Sequence, residues 1–362
     1  MITGNIGEWS EFYAFIKILT DKILYSADEN LEKMEDNFYY VLEIIREEAQ
    51  NGKKIYDLSK NDEKIHIRNF DDNKKIGVIS SSAVKSKVRE IFESMKTSDN
   101  AAFSIKIGQK LMEKLHCTQI KASSATKQDL IVKIHDPVTS IKPELGFSIK
   151  SMLGSPSTLL NASGATNFRY KINGKNVNTK TVNSIEGRSK ILDRVNAIYE
   201  MGGKIEFDNL EREAFRKNLR KIDSLFPEML AEIILAFFSG KGRKLSELVD
   251  YLAKDGVLAK KFDFSQEDIE YKMKEFLVSI ALGMTPAREW DGITKAHGGY
   301  IVVREDGEIV CYHLYNRNEF QEYLYKNIHL DTPSTSRHGY GDIFEEKGEK
   351  YINFNLQIRF NK

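Results

Sequence analysis

The sequence has 362 residues, 41% of them hydrophobic and 30% charged, with 54 Lys and Arg against 53 Asp and Glu, which excludes a long disordered chain of low hydropathy and high net charge. Its length, about 2.4 times the roughly 150 residues of a common domain, sets an expectation of two domains or one large domain with an appendage. Two cysteines only, Cys117 and Cys311, exclude a disulfide scaffold or a four-cysteine zinc site and fit a reducing compartment, with the cytoplasm as the expected location.

Helical periodicity is read over Glu8–Leu24, Leu31–Gln50, Ala83–Lys96 and Ala101–Leu115, where apolar residues recur every three or four positions. Strand-like runs follow at Leu130–His135, Leu145–Lys150, Phe168–Ile172 and Ile205–Phe207. Helical spacing covers Arg188–Tyr199, Leu210–Ile222, Pro227–Phe238, Leu245–Ala253 and Gln266–Ile280, before a second strand-rich stretch at Tyr300–Arg304, Ile309–His313 and Tyr351–Phe360. Strand signals thus cluster twice, first after about 115 mainly helical residues and again in the last ~65, which predicts a mixed α/β fold. The longest purely apolar run, Ile233 to Phe238, is far below the ~20 residues that a bilayer core demands, so no membrane-spanning segment is expected. The opening Met1-Ile-Thr-Gly-Asn-Ile-Gly-Glu-Trp9 carries neither a basic nor an apolar leader, and export is not expected.

A net charge near zero conceals an uneven distribution. Thr118 to Lys190 holds eleven Lys and Arg against Asp129, Asp136, Glu144 and Glu186, a local balance of +7 that leaves −6 for the rest of a chain whose total is +1. Clustered cations favour a polyanion, because phosphate neutralisation dominates nucleic-acid affinity. A solvated loop region is the plain alternative.

In Gln128-Asp129-Leu130-Ile131-Val132-Lys133-Ile134-His135, strand alternation sends Leu130, Val132 and Ile134 to one face, with Asp129 opening the strand at its edge. In Leu145-Gly146-Phe147-Ser148-Ile149-Lys150 the apolar residues share one face, while Ser148 and Lys150 are neighbours on the other. About nine residues separate the two strands, enough for a hairpin-like return that brings a carboxylate against a hydroxyl and an ammonium. Phosphodiester hydrolysis uses this set: a hard oxygen ligand holds Mg²⁺ on the scissile phosphate, and a cation stabilises charge and orients the attacking water. Gly146 would let a phosphate backbone approach closely. A surface cross-strand ion pair is the plain alternative.

An acid opening a hydrophobic strand, followed by a strand ending in Ser148-Ile149-Lys150, resembles the PD-(D/E)xK nuclease core in its degenerate form. Gly4-Asn5-x-Gly7-Glu8-Trp9-Ser10-Glu11, Gly146 to Ser151, Thr158-Leu-Leu-Asn-Ala-Ser163 and Thr166-Asn-Phe resemble the HpaII type II restriction endonuclease family. Thr332 to Tyr340 and Asn355-Leu-Gln-Ile-Arg-Phe360 extend the likeness through nearly the whole chain. The resemblance implies Mg²⁺-dependent cleavage of double-stranded DNA at a short palindrome, CCGG for the enzyme that gives the family its name, with a methyltransferase protecting host DNA. Ser148 departs from the broader nuclease pattern, in which an Asp or Glu supplies a second metal ligand.

On a helix from Glu8, the residues Trp9, Phe12, Tyr13, Ile16, Leu19 and Ile23 form one stripe, with Glu8 at its edge and Glu11 outside it. Glu8 is therefore the carboxylate expected to compensate for Ser148; a first-turn acid favoured by the helix dipole is the alternative. Glu144 lies ~20 Å from Lys150 along its strand and is set aside. Short hydroxyl and amide side chains at Ser151, Asn161, Ser163 and Asn167, with Arg169 and Lys171 after them, are expected to hold DNA, as are Ser336, Arg337, His338 and Tyr340. Arg337 is the first choice as a guanine reader and Arg169 the second. Turn residues satisfying their own backbone are the alternative. His135 and His297 lack a partner at metal-ligand spacing and are expected to be structural.

Together these readings predict an α/β fold, a mixed-sheet restriction-endonuclease-like core flanked by helices with a C-terminal α/β section, divided as a catalytic domain over 1–240 and a DNA-recognition section over 241–362. Asp129, the Ile149 carbonyl and Glu8 are expected to hold Mg²⁺, Lys150 to orient the water, and Ser148 to bind metal or water. A palindromic target predicts a homodimer. A non-catalytic DNA-binding relative is the competing reading, because Ser148 removes a charge. A phosphatase acting on small substrates is a third, which would not need the long basic segment.

Overall fold

Asn5 starts the first helix: its side chain accepts the Glu8 N–H at 3.0 Å, while Glu8 Oε2 accepts the Asn5 N–H at 3.0 Å, a reciprocal cap that satisfies two otherwise orphaned donors. The computed structural model in which this is seen describes residues 2–49, 51–60, 63–98, 100–121, 128–294, 296–313 and 316–361. In chain order the elements are α1 (Ile6–Asp21), β1 (Ile23–Ala27), β2 (Lys33–Glu48), β3 (Gly52–Asp57), β4 (Lys64–Asn69), β5 (Lys75–Ser80), α2 (Ser81–Lys96), α3 (Lys106–Lys114), β6 (Leu130–His135) and β7 (Glu144–Ser151). There follow β8 (Thr158–Leu160), β9 (Asn167–Asn173), α4 (Thr179–Asn183), α5 (Lys190–Glu200), β10 (Lys204–Leu210), α6 (Glu213–Arg220), α7 (Phe226–Phe238), α8 (Leu245–Asp255), α9 (Val257–Phe262) and α10 (Gln266–Leu282). The chain ends with β11 (Gly299–Val303), β12 (Ile309–Tyr312), α11 (Arg317–Lys326), β13 (Ile328–Leu330), α12 (Thr335–His338), β14 (Ile343–Glu346), β15 (Glu349–Asn355) and β16 (Ile358–Phe360). The fold is mixed α/β, as expected. Among the described residues no helix is long and apolar enough to cross a membrane.

Two compact units divide the chain discontinuously: unit 1 takes the residues up to Ser157 and Thr294–Tyr323, and unit 2 takes Thr158–Ile293 and Leu324–Asn361. This division interleaves along the chain, unlike the single boundary at residue 240 that the sequence predicts. Unit 1 holds a nine-stranded sheet ordered β1-β12-β11-β7-β6-β2-β3-β4-β5, and β1 also pairs with β2, so six of its strands return on themselves. Pairing is antiparallel except for β1 with β12 and β11 with β7. Helix α1 packs on β7 and buries Trp9, Phe12, Phe15, Ile16 and Leu19 in the same core as Val132, Phe147 and Ile301. Gly299, at φ +101°, has no room for a side chain, since a Cβ there would meet the Tyr312 carbonyl at 1.8 Å. Unit 2 carries a four-stranded antiparallel sheet, β10-β9-β15-β14, and a three-stranded one, β13-β16-β8.

Several expected helices are corrected. Leu31–Gln50, read as helical, contains the 16-residue strand β2; Gln50 itself lies outside the described residues. Its Phe38-Tyr-Tyr-Val41 and Ile44-Ile45 groups are β-formers, and pairing with β1, β3 and β6 overrides the helical spacing. The expectation of about 115 mainly helical residues at the start is likewise wrong, because β1 and β3 to β5 lie there as well. Helix α1 stops at Asp21, where Lys22 takes φ 59°, and Leu24 belongs to β1. Ala101–Leu115 shrinks to α3, Leu210 closes β10 instead of opening a helix, and Tyr351–Phe360 is two strands in two sheets.

Candidate functional site

Strands β6 and β7 pair in the register Leu130 to Phe147 and Ile131 to Gly146, so the residue before β6 falls level with Ser148. Asp129 donates its N–H to the Phe147 carbonyl at 2.8 Å. Its Oδ2 accepts the Ile149 N–H at 2.6 Å and the Ser148 hydroxyl at 3.1 Å. Both bonds fix the carboxylate, and Oδ1 has no hydrogen-bond partner among the described residues. Burial pushes the Asp129 carboxyl above its ordinary range, against the Ile149 N–H, Lys150, Ser148 and Arg46. Burial likewise pulls the Lys150 ammonium below its ordinary range, against the fields of Asp129 and Glu11. Lys150 Nζ lies 5.3 Å from the ring centroid of Tyr300, the residue opposite Ser148 on the neighbouring strand β11. A desolvated ammonium, an oriented carboxylate and a hydroxyl therefore share one strand end, a combination that can hold a cation and position a water.

Glu8 is engaged within the fold. Its carboxylate caps α1, and Oε1 pairs with Lys121 Nζ at 2.8 Å. Burial works against its charge, but Lys121 and the Asn5 N–H outweigh this and hold its carboxyl below the usual range. Glu11, absent from the expected set, is the helix acid whose field reaches Lys150. Next to it, Ser10 donates its hydroxyl to Ser151 at 2.9 Å, tying this turn of α1 to the residue after Lys150. A single stripe does not describe α1, which is buried on most sides, with Ser10, Ala14 and Ile18 as enclosed as the stripe itself. At Gly146 a Cβ would lie 2.0 Å from Gln128 Oε1, the end of a flexible side chain, so the glycine leaves space that Gln128 fills here.

The fit of a divalent cation rests on donor chemistry. Among the described residues no three His, Cys, Asp or Glu gather as ligands. Mg²⁺ commonly takes one or two carboxylates and completes its shell with water and substrate phosphate, and the open Oδ1 of Asp129 beside the Ser148 hydroxyl fits that pattern. The expected histidines are structural: His297 Nε2 meets the Glu144 carbonyl at 3.1 Å, and His135 packs near Tyr40.

Most polar residues singled out for DNA are engaged within the fold. Ser151 accepts from Ser10 and from the Leu153 N–H at 3.1 Å. Ser163 caps the short turn Gly164–Thr166, and Asn167 donates to the His338 carbonyl at 2.9 Å while accepting from Asn355. Arg169 pairs with Asp208 and Glu346 and lies 3.7 Å from the Tyr351 ring centroid; Lys171 pairs with Glu349 at 3.1 Å. Tyr340 is buried and donates to the Pro333 carbonyl at 2.6 Å. Thus Arg169 and Lys171 of the basic segment are neutralised by acids distant in sequence. Arg337 differs: it is exposed on α12 and has no ion-pair partner among the described residues, and Ser336 beside it and Asn161 are exposed too. Buried Arg194 braces this region, donating to the carbonyls of Asn183 and Gly341, each at 2.8 Å.

The sequence model of the HpaII restriction endonuclease family matches residues 5–360. The type II restriction enzyme HpaII of Haemophilus parainfluenzae is 42% identical over 358 residues, which cover 99% of this chain and 98% of that protein. No solved structure matches.

Proposed function

The chain belongs to the HpaII restriction endonuclease family and is a type II restriction endonuclease, a site-specific deoxyribonuclease, and from that premise we propose that it cuts both strands of a short palindrome, CCGG, with Mg²⁺ held at Asp129. The observation that carries the assignment is the doubly bonded Asp129 Oδ2, which leaves Oδ1 open in a carboxylate that feels the field of Lys150. When bound, Mg²⁺ would supply a Lewis acid for the scissile phosphate and lower the pKa of a coordinated water. Asp129 and the Ile149 carbonyl would hold it. Ser148 keeps the carboxylate oriented through its hydroxyl. Lys150 orients the attacking water and balances charge as the phosphate becomes more negative. Glu11, at the helix turn tied to Ser151, supplies the charge that Ser148 lacks, whereas Glu8 stays in its cap. A two-fold target favours a homodimer, host DNA would be protected by a partner methyltransferase, and the cytoplasm is the expected compartment.

Plasmid DNA incubated with the protein is expected to give discrete fragments in Mg²⁺ and none in EDTA. A gel shift without cutting under both conditions would instead support a non-catalytic binder. Glu11→Gln is expected to lower single-turnover cleavage by about 10²-fold and to weaken Mn²⁺ binding by calorimetry, as loss of a charged group near the reacting phosphate should; Glu8→Ala, which removes the acid from the first turn of α1, should cost stability, about 0.3–1 kcal/mol, more than rate. Arg337→Ala should reduce discrimination between the cognate site and single-mismatch sites by about 1–3 kcal/mol. Unchanged cleavage ratios across such sites would remove Arg337 from the readers.

A further inference from the structure

Unit 2 carries an open cavity of about 470 Å³ whose lining includes neither Asp129 nor Lys150, a volume within the range of small-ligand sites. Leu192 on α5 and Phe237 and Phe238 at the end of α7 give it an apolar wall, while Arg188 and Arg243 stand among its lining residues. Arg188 is exposed and has no ion-pair partner among the described residues. Arg243 is 65% exposed and reaches Asp331 at 3.4 Å, but Asp331 also answers Arg359 at 3.1 Å, so the cations around the cavity outnumber the acid that faces them. Phe238 packs against Tyr340 with ring centroids 5.9 Å apart, and Asp331 and Thr332 complete the lining a few residues before α12.

Guanidinium groups bind phosphate through paired N–H donors, and an aromatic and aliphatic wall accepts the flat face of a base. We propose that this cavity binds a single nucleotide, its phosphate held by Arg188 and Arg243 and its base against Leu192 and Phe237. In the enzyme at work, and resting on the nuclease reading above, that nucleotide is one swung out of the bound duplex; a free mononucleotide offers the same chemistry.

The full-length protein is titrated with the four deoxynucleoside 5′-monophosphates, with inorganic phosphate, and with the uncharged deoxynucleosides. Mononucleotides are expected to bind at least tenfold more tightly than either partial ligand. Arg188→Glu and the cavity-filling Leu192→Trp should each weaken them tenfold or more, with thermal midpoints close to that of the parent protein as the check on folding. A duplex with a fluorescent base analogue inside its cut site, bound in Ca²⁺, identifies the source. Brightening with the parent protein that is lost with Leu192→Trp marks a swung-out nucleotide, and retained mononucleotide binding without brightening marks a free one. Equal affinity for phosphate and mononucleotide, or binding that neither variant changes, overturns the proposal. Plasmid cleavage scored in parallel keeps its failure apart from failure of the nuclease reading, since cutting that persists without nucleotide binding sinks only the cavity.

Discussion

Lys150→Ala is expected to lower single-turnover DNA cleavage by about 10²–10⁴-fold, the range usually lost with a group that handles the proton or charge of the reacting centre. Specific binding measured in Ca²⁺ should remain, because Lys150 lies at the end of β7, and Asp129 keeps its bonds from Ile149 and Ser148 without the ammonium. Asp129→Asn should match it in cleavage while also weakening Mn²⁺ binding, since an amide oxygen lacks the charge that holds a hard cation. The two variants therefore separate the two tasks: both lose rate, and only the aspartate variant loses metal. If Lys150→Ala cut DNA at the parent rate, the ammonium would have no part in the reaction.

Glu48→Ala is expected to destabilise the fold by about 3–5 kcal/mol, the cost of stranding one member of a buried ion pair. Arg46 and Glu48 are 2% and 3% exposed and meet at 3.3 Å. Glu48 also accepts the Thr118 N–H at 2.9 Å and the Thr118 hydroxyl at 2.7 Å, and Arg46 donates to the carbonyls of Gln119 and Ile120 at 2.8 and 2.7 Å. Those last two bonds survive in the variant, which places the loss toward the lower end. The pair fastens the segment 118–120 onto β2. Burial disfavours the charge of Glu48, but the Thr118 donors, Arg46 and Asn51 outweigh it and hold the carboxyl below its usual range. A depressed carboxyl stabilises the fold fully above its unfolded value of ~4.3 and loses that contribution as pH falls through the lower folded value. Urea midpoints of the parent should therefore fall below about pH 4.3 more steeply than those of Glu48→Gln. Parallel pH profiles would show that Glu48 is not a net source of acid sensitivity.

The parts of this arrangement that were legible in the sequence are local. The antiparallel return from β6 to β7 brings Asp129 level with Ser148 through strand alternation over a short connection. What was illegible depends on partners far along the chain. β2 carries helical spacing but becomes a strand because β1, β3 and β6 are available to pair with it. The sheet holding Asp129 is completed by β11 and β12, more than a hundred residues later, so no cut at a single position separates the two units. Cations read as a polyanion surface, Arg169 and Lys171 above all, find acids at Asp208, Glu346 and Glu349 that a linear count cannot bring near. Glu11 is set outside the stripe for a related reason: a helix enclosed on most sides has no single inward stripe.

Diffraction from crystals of the protein with cognate DNA and Mn²⁺, recorded at the manganese edge, tests the metal assignment most directly. The anomalous peak is expected within coordination distance of Asp129 Oδ1, with Lys150 on the side of the scissile phosphate. A peak bound to other acids, with Asp129 still bonded only to Ile149 and Ser148, would contradict it.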